Sequence, residues 1–346
     1  MDIRRDDLDA AVSAGILDAA ARDRLLAFVR ARAEGAAGPD NESFRLLTGF
    51  NDIFVTLACL LVLGAIPSLV SGLAAAGLVA AASWGLAEYF TARRRMALPS
   101  ILLLLAFVGS AFAFTFLAIS GGDHWTLALK QARMQGETAA VFAPFVVAGL
   151  AGAGAAALHW RRFRVPITLA AGAAALAAGA IGLAGALVGS ERGVLFAALL
   201  AGLAVFALAM RYDITDRERL TRNTDIAFWL HLLAAPMIVH PVFALSGLLD
   251  GSPGPGAAVL VLMVYLVLTL IALAIDRRAL LVSALAYVIF ALQGLFEAGQ
   301  VAAGFGLTAL VLGSFLVMLS AAWGSLRRRL LQHLPAAWTG RLPLPA

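Results

Sequence analysis

Few residues in this chain have the chemistry to do work, and they sit inside long apolar stretches, where an ionisable group costs roughly 2.5–3.5 kcal/mol to insert. The richest stretch, 226–246, holds Trp229, His231, Pro236, His240, Pro241 and Ser246. A later one, 279–299, holds Gln293 and Glu297, about one helical turn apart on a single face. His240 and Gln293 fall at similar depths in their stretches. If the two pack together, His240, Gln293 and Glu297 form a polar patch open to the outer side, in which His240 and Glu297 can exchange a proton. The competing reading is inter-helix hydrogen bonding, with Glu297 reaching the headgroups. His231 lies about one turn inside the opposite boundary, where an interfacial role is expected, and joins the candidates as an accessory.

The same residues argue against other chemistries. His231 and His240 are nine positions apart, which at about 100° per residue places them on opposite faces, so they do not share a metal. No HExxH motif is present, and His240 has no Ser or Cys at motif spacing to activate. No Walker motif exists, and Cys59 is alone in an apolar run, which leaves no disulfide framework. Neither catalytic residues, nor a cofactor, nor a metal site is expected, and the chain does not read as an enzyme.

The elements that carry these residues follow from composition. Hydrophobic residues make up 62% of the chain, charged ones 14%, and the mean hydropathy is +0.90, which demands lipid rather than water as the main solvent. A crossing needs about 20 apolar residues at 1.5 Å rise to span about 30 Å of hydrocarbon. That ruler places ten helices near 53–70, 73–91, 97–119, 139–160, 165–188, 193–210, 226–246, 257–275, 279–299 and 301–323. Only 40 residues separate Asp52 from Arg93, so the first pair must turn sharply, at Ser71-Gly72. The runs lack the period-two alternation of a transmembrane barrel, so backbone polar groups must be satisfied within helices.

Charge sets the orientation. Of 26 basic residues, 23 fall in the two termini or in every second connection: seven arginines from Arg4 to Arg45, then Arg93–Arg95, Arg161/Arg162/Arg164, Arg211/Arg217/Arg219/Arg222, Arg277/Arg278, and Arg327–Arg329 with Arg341. The alternate connections hold only Lys130, Arg133 and Arg192. Arginine near short loops stays cytoplasmic, so both termini are expected there, close to anionic headgroups. Residues 1–50 show no apolar signal-peptide core. The 25 arginines against one lysine, with abundant alanine, suit a high-GC bacterium and its inner membrane. The high pI is not read as nucleic-acid binding, because the charge is parcelled into helix ends.

An internal repeat joins the two ends. Leu47-Thr48…Asp52-Ile53 recurs as Leu220-Thr221…Asp225-Ile226 at an offset of 173, and Ser71-Gly72-Leu73 as Ser246-Gly247-Leu248 at 175. Arg94-Arg95…Ser100 recurs as Arg277-Arg278…Ser283 at 183, and Arg161-Arg162 as Arg327-Arg328 at 166, with the gaps in loops. Helices 1–4 then duplicate helices 7–10, joined by helices 5 and 6. Both copies start on the cytoplasmic side, so the repeat is parallel; the inverted five-plus-five plan of drug/metabolite transporters is not expected. The polar patch has no counterpart in the first copy, where Pro67, Ser110 and Phe114 stand in its place.

Residues 1–50 form a cytoplasmic head and linker. Leu8, Ala11 and Val12 keep helical spacing, Ala14–Leu17 break it, and Asp18 is placed to cap a second helix carrying Leu25, Leu26, Phe28 and Val29. So small a hairpin buries too little to stand alone and is expected to dock, on the membrane domain, a second copy or a protein partner through residues 1–34. The stretch DDLDAAVSAGILDAAARDRLLAFV, followed by a linker and many helices with arginine pairs at alternate turns, resembles a broad group of uncharacterised bacterial inner-membrane proteins, catalogued as domains of unknown function, with a short N-terminal helical hairpin. That resemblance implies a fold and brings no catalytic residues with it.

The remaining polar residues have simpler expectations. Glu88 and Tyr89 are read as an interfacial anchor paired locally with Arg93–Arg95, and Asp276 beside Arg277 likewise. Asp52 and Asp225 sit at helix starts, where a carboxylate suits the macrodipole. His159-Trp160 reads as an interfacial belt. The segment 121–138 allows a short surface helix with Trp125 and Leu129 in the interface. The fifth span, with Gly172, Gly179, Gly182 and Gly185, is built for close packing, as a core seam or a dimer face.

The chain therefore reads as an all-α membrane protein with ten transmembrane helices in 51–325 and a cytoplasmic C-terminal tail, 326–346. A permease-like small-molecule or ion transporter is the first functional expectation; a non-catalytic scaffold or sensor whose head binds a partner is the alternative. Single cysteines at 93–95 and 161–164 in a Cys59→Ala background are expected to react with an impermeant maleimide only from the cytoplasmic face. Labelling of these positions on intact cells would reverse the orientation.

Overall fold

The computed structural model describes residues 5–26, 50–217, 219, 221–247, 255–298, 304–335, 339–340 and 342. It is helical, with no strand among the described residues. The chain divides into two units, one ending at Phe44 and one running from Arg45 to Pro345. In the first, α1 (Arg5–Ser13) and α2 (19–26) flank a turn with Gly15 at φ +69°. Asp18 caps α2 as its type allows: its Oδ1 accepts from the Ala20 amide at 2.7 Å.

The second unit is a sequence of apolar helices: α3 (Phe50–Leu69), α4 (Gly72–Ala87, continued by a π-turn over Glu88–Arg93), α5 (Ala97–Ile119), the short α6 (Trp125–Met134), α7 (Thr138–Phe163), α8 (Ile167–Val188), α9 (Glu191–Thr215), α10 (Arg222–Leu245), α11 (Pro255–Ile275), α12 (Ala279–Ala298) and α13 (Gly304–His333). Among the described residues, eight are long and apolar enough to cross a membrane: α3, α4 with its π-turn, α5, α7, α8, α9, α10 and α13 from Gly306. In α11 and α12, the remaining two of the ten expected spans, the described apolar stretches are the shorter Val259–Ile275 and Leu280–Ile289. This is the architecture of a multi-pass membrane protein. Its outer surface agrees, since Leu61, Val317 and Val282 are 73%, 69% and 64% exposed, which lipid tolerates and water does not.

Three helices outrun their expected ends, the fourth span (α7, to Phe163 rather than 160) only slightly. The sixth span, expected over 193–210, continues as α9 to Thr215, and the tenth, expected over 301–323, runs on to His333 through Arg327–Arg329. A helix need not stop where a charge appears if a partner or the interface receives it. α6 forms where a surface helix was expected, with Trp125 edge-on to Phe116 at 5.6 Å and Ala132 buried. Pro236 and Pro241 both lie within the continuous α10.

Three apolar clusters hold the unit together. One joins α3, α4 and α5 around Leu63 and Leu103; a second joins α5, α7, α8, α9 and α10 around Leu104 and Leu230; the third joins α10 to α13 around Phe243, Leu280 and Val288. α5 packs on α3, α4 and α7, and α12 packs on α10, α11 and α13. The most extensive pairing is α7 with α8, and small residues explain it. A Cβ on Gly149 would lie 2.6 Å from the Ala175 carbonyl oxygen and 2.7 Å from Gly179 Cα, so the two backbones touch. α8 is thus a core seam of this unit.

The turns differ between the two ends. At the arginine-bearing end, Arg95, Arg164, Arg219 and Asp276 adopt φ of +54° to +57°, each at a cost of about 1–2 kcal/mol for a residue with a Cβ. At the other end that conformation is taken by glycines, Gly72 and Gly189 among them. Charge is retained at one end where glycine would be the easier residue.

Replacement of Gly149 by Leu is expected to cost about 1–3 kcal/mol by overpacking the seam. Gly154→Leu, on the same helix with nothing within 4 Å of its would-be Cβ, is expected to be near neutral. Thermal melting in detergent compares them, and equal effects would remove the seam's special status.

Candidate functional site

The densest polar chemistry lies at the arginine-bearing end of the second half, and α9 starts it. Its buried face runs Gly202, Val205, Ala209, Asp213, at spacings of three and four, so the carboxylate falls at the end of an apolar stripe. On α10 the buried face Ala227, Leu230, His231, Ala234, Ala235 brings an imidazole to it. The turn between α11 and α12 supplies Arg277. Asp213, His231 and Arg277 are each no more than 1% exposed.

Their hydrogen bonds converge on one carboxylate. Arg277 donates through Nη2 to Asp213 Oδ1 and through Nε to Oδ2 at 3.3 Å. His231 Nε2 lies 2.8 Å from the same Oδ2, a spacing at which Nε2–H donates. Arg277 Nη2 also reaches the Thr224 carbonyl at 3.4 Å. The edge of Phe206 closes over the imidazole at 5.3 Å between ring centroids, and His231 Nδ1 is buried with no hydrogen-bond partner among the described residues. With His231 neutral the cluster balances one anion against one cation; a proton on Nδ1 would leave it with net positive charge and no water to screen it.

A second carboxylate, that of Asp276, ties in α13. Arg219 Nη1 pairs with Asp276 Oδ2 at 3.0 Å, and its Nη2 donates to the Asp276 carbonyl at 3.1 Å. Trp323 Nε1 donates to Asp276 Oδ1 at 2.7 Å, and Arg327 Nε donates to the Leu273 carbonyl at 3.2 Å while standing 3.9 Å from Asp276 Oδ1. Asp216 accepts from the Thr221 amide at 2.9 Å and from the hydroxyls of Thr221 and Thr224 at 2.7 and 2.8 Å. Arg217 Nε donates to the Leu342 carbonyl at 2.9 Å, which holds that part of the tail against the helical unit.

Of the expected patch of His240, Gln293 and Glu297, His240 is the member whose side chain is among those described. His240 is exposed, and its Nδ1 lies 2.7 Å from the Tyr287 hydroxyl on α12, whose ring stacks on Phe243 at 4.5 Å. α10 and α12 pack together. The side chains of Gln293 and Glu297 lie outside the described residues. His231 stands apart from His240, buried at the other end of α10 rather than interfacial. Tyr287 went unnoticed in the sequence because a tyrosine in an apolar span reads as packing.

Elsewhere, pairings also differ from expectation. Glu88 is held bidentately by Arg162, at 2.9 and 2.7 Å, rather than by Arg93–Arg95, and Arg94 donates to the Tyr89 hydroxyl at 3.1 Å. His159 is not at the interface: it is fully buried among Trp84, Phe107 and Phe163, with Thr168 Oγ1 3.3 Å from Nδ1. Among the described residues no group of three His, Cys, Asp or Glu side chains could hold a metal.

No family model matches the chain, and no curated protein or solved structure matches it either. The site must therefore be judged by its own geometry, inside a protein whose class is multi-pass and helical.

Replacement of Asp213 by Leu is expected to destabilise the protein by about 3–5 kcal/mol, because Arg277 is left buried and uncompensated. The double variant Asp213→Leu/Arg277→Met should recover most of that loss. Additive losses in the double-mutant cycle would mean that the two side chains do not act as a pair.

Proposed function

We propose that this protein is a permease-like transporter of a small molecule or ion in a bacterial inner membrane, crossing it ten times with both termini cytoplasmic, and that it is not an enzyme. The observation that carries the reading is the Asp213–His231–Arg277 cluster. Three ionisable side chains buried at the end of a membrane bundle are costly to keep, and such groups most often mark an ion or substrate path. The cluster bridges α9, α10 and the α11–α12 turn by contacts that can be broken and remade. In this reading it locks the cytoplasmic ends, while the exposed His240, bonded to Tyr287, marks an outer vestibule shared with Gln293 and Glu297.

Other features support the plan. The packing of α5 on α3, α4 and α7 repeats in that of α12 on α10, α11 and α13, as two parallel four-helix copies joined by α8 and α9 would have it. The arginines at the α4–α5, α7–α8 and α9–α10 turns suit the cytoplasmic orientation and contact with anionic headgroups. The head at residues 1–34 is assigned to docking, on a second copy or on another protein.

One observation favours the alternative, a scaffold or sensor without transport: the α7–α8 seam is closed, backbone against backbone. Reconstituted protein separates the two. The transporter reading expects ligand-induced stabilisation from at least one solute in a panel of metabolites and ions screened across pH, and flux of that solute into proteoliposomes. His240→Ala and Glu297→Gln should alter the pH dependence of both. A panel without any response, or a response that both variants leave intact, would favour the scaffold.

A further inference from the structure

Arg277 has two carboxylates within reach and serves one of them. Its Nη2 and Nε engage Asp213, while the same Nη2 reaches the Thr224 carbonyl at 3.4 Å, on the first turn of α10. The next residue is Asp225, its Cα about 3.8 Å from that of Thr224. Asp225 is half-buried at the edge of the span expected over 226–246, and makes no hydrogen bond or ion pair among the described residues. We propose that Asp225 is a proton-binding residue, and that loss of its proton draws Arg277 off Asp213 and onto Asp225.

Charge balance around Asp225 argues for the proton. A half-buried carboxylate without a donor is costly, whereas the neutral acid is not. The helix dipole favours an anion in this first turn, but by less than a hydrogen bond from a charged group would. The charged groups near Asp225 are Arg277, Arg222 and Asp216. Arg277 is engaged by Asp213, Arg222 is exposed to water one turn back, and Asp216 is a like charge. The helices packed on α10 bring no further cation to the site. α8 carries no charged residue, and the one on α12, Glu297, lies at its far end. On α9, Arg211 is exposed, while Glu191 and Arg192 are at the opposite end from Asp213.

The other side of the exchange is already built. His231 Nε2 stands 2.8 Å from Asp213 Oδ2, and its buried Nδ1 has no partner among the described residues. When Arg277 leaves, that lone pair takes the proton that keeps Asp213 paired. The step balances. The Asp225 O–H breaks and its proton goes to water at the arginine-bearing end. An N–H···O bond of Arg277 passes from Asp213 to Asp225, and a proton from water bonds to Nδ1, so each carboxylate ends with one cation. Of the charged groups around His231, Asp213 and Arg277 take part, and Arg219 stays with Asp276. The inference holds whether or not the protein transports a solute.

The test follows the infrared C=O stretch of protonated carboxyls during a pH titration of the full-length protein in lipid nanodiscs. Part of that absorbance is expected to vanish in Asp225→Asn, which assigns the Asp225 band. In Asp213→Asn, Arg277 is left to Asp225, a move that offsets only part of the cost of losing the first carboxylate. The Asp225 band should then disappear at a pH about one unit lower, a tenfold loss of proton affinity for one charge-assisted hydrogen bond gained by the anion. Asp213→Asn/Arg277→Met should return it to the wild-type pH or above. A spectrum that Asp225→Asn leaves unchanged, or an Asp225 band that Asp213→Asn does not move, would overturn the site. Should Asp213→Asn fail to fold, His231→Lys, which fixes a cation on Asp213, takes its place with the same expected shift and the same refuting result. The comparison of wild type with Asp225→Asn decides in either case whether a proton is held there.

Discussion

One carboxylate is shared by a guanidinium and an imidazole where neither water nor headgroup reaches, and much of the second half is organised around it. An isolated Asp213 would be prohibitive at that depth, and an isolated Arg277 equally so. Each makes the other tolerable only if α9, α10 and the α11–α12 turn arrive together. The hydrophobic effect, which drives helices together in water, is weak between helices already in hydrocarbon. Geometry and polar contacts must then decide which helix sits against which. The Asp213 cluster performs that task at one end of the second half, and the glycine contacts of α7 and α8 perform it in the middle of the unit.

The two devices differ in kind. A glycine seam gains dispersion energy from close backbone approach and has a single best arrangement. An ion-pair cluster is directional and switchable: a proton added at His231, or an anion competing for Arg277, changes its charge balance. Arg219, Trp323 and Arg327 gather in the same way around Asp276, which brings α13 to that turn. A protein with both has a rigid element next to one that can be released, and this contrast is what makes the second half the candidate working part.

Arginine serves two purposes at the helix ends. Arg95, Arg164 and Arg219 accept a left-handed backbone that glycine would adopt at lower cost. Arg277, from a pair that reads as a simple anchor, is instead among the most buried side chains in the protein. Its half-buried neighbour Arg278 lies over the Trp323 ring instead. Adjacent residues of one type thus meet different partners, because the turn between α11 and α12 presents one to Asp213 and the other to Trp323.

Composition and hydropathy alone determine that lipid is the solvent, that the elements are helices, and close to where each begins, since a crossing has a fixed length and a backbone in hydrocarbon has one local solution. The small-residue character of 167–188 and the cap at Asp18 were legible for the same reason: both act within a few residues. Asp213 was not, although it continues the stripe Gly202, Val205, Ala209, because it falls past the apolar run expected over 193–210. What rescues that carboxylate is a partner 64 positions away, and no local rule reports a partner so distant. His231, Arg277 and Tyr287 share that limit. Which face a polar residue shows is periodic and readable, whereas which charge stands opposite is a property of packing, and only the folded arrangement of helices decides it.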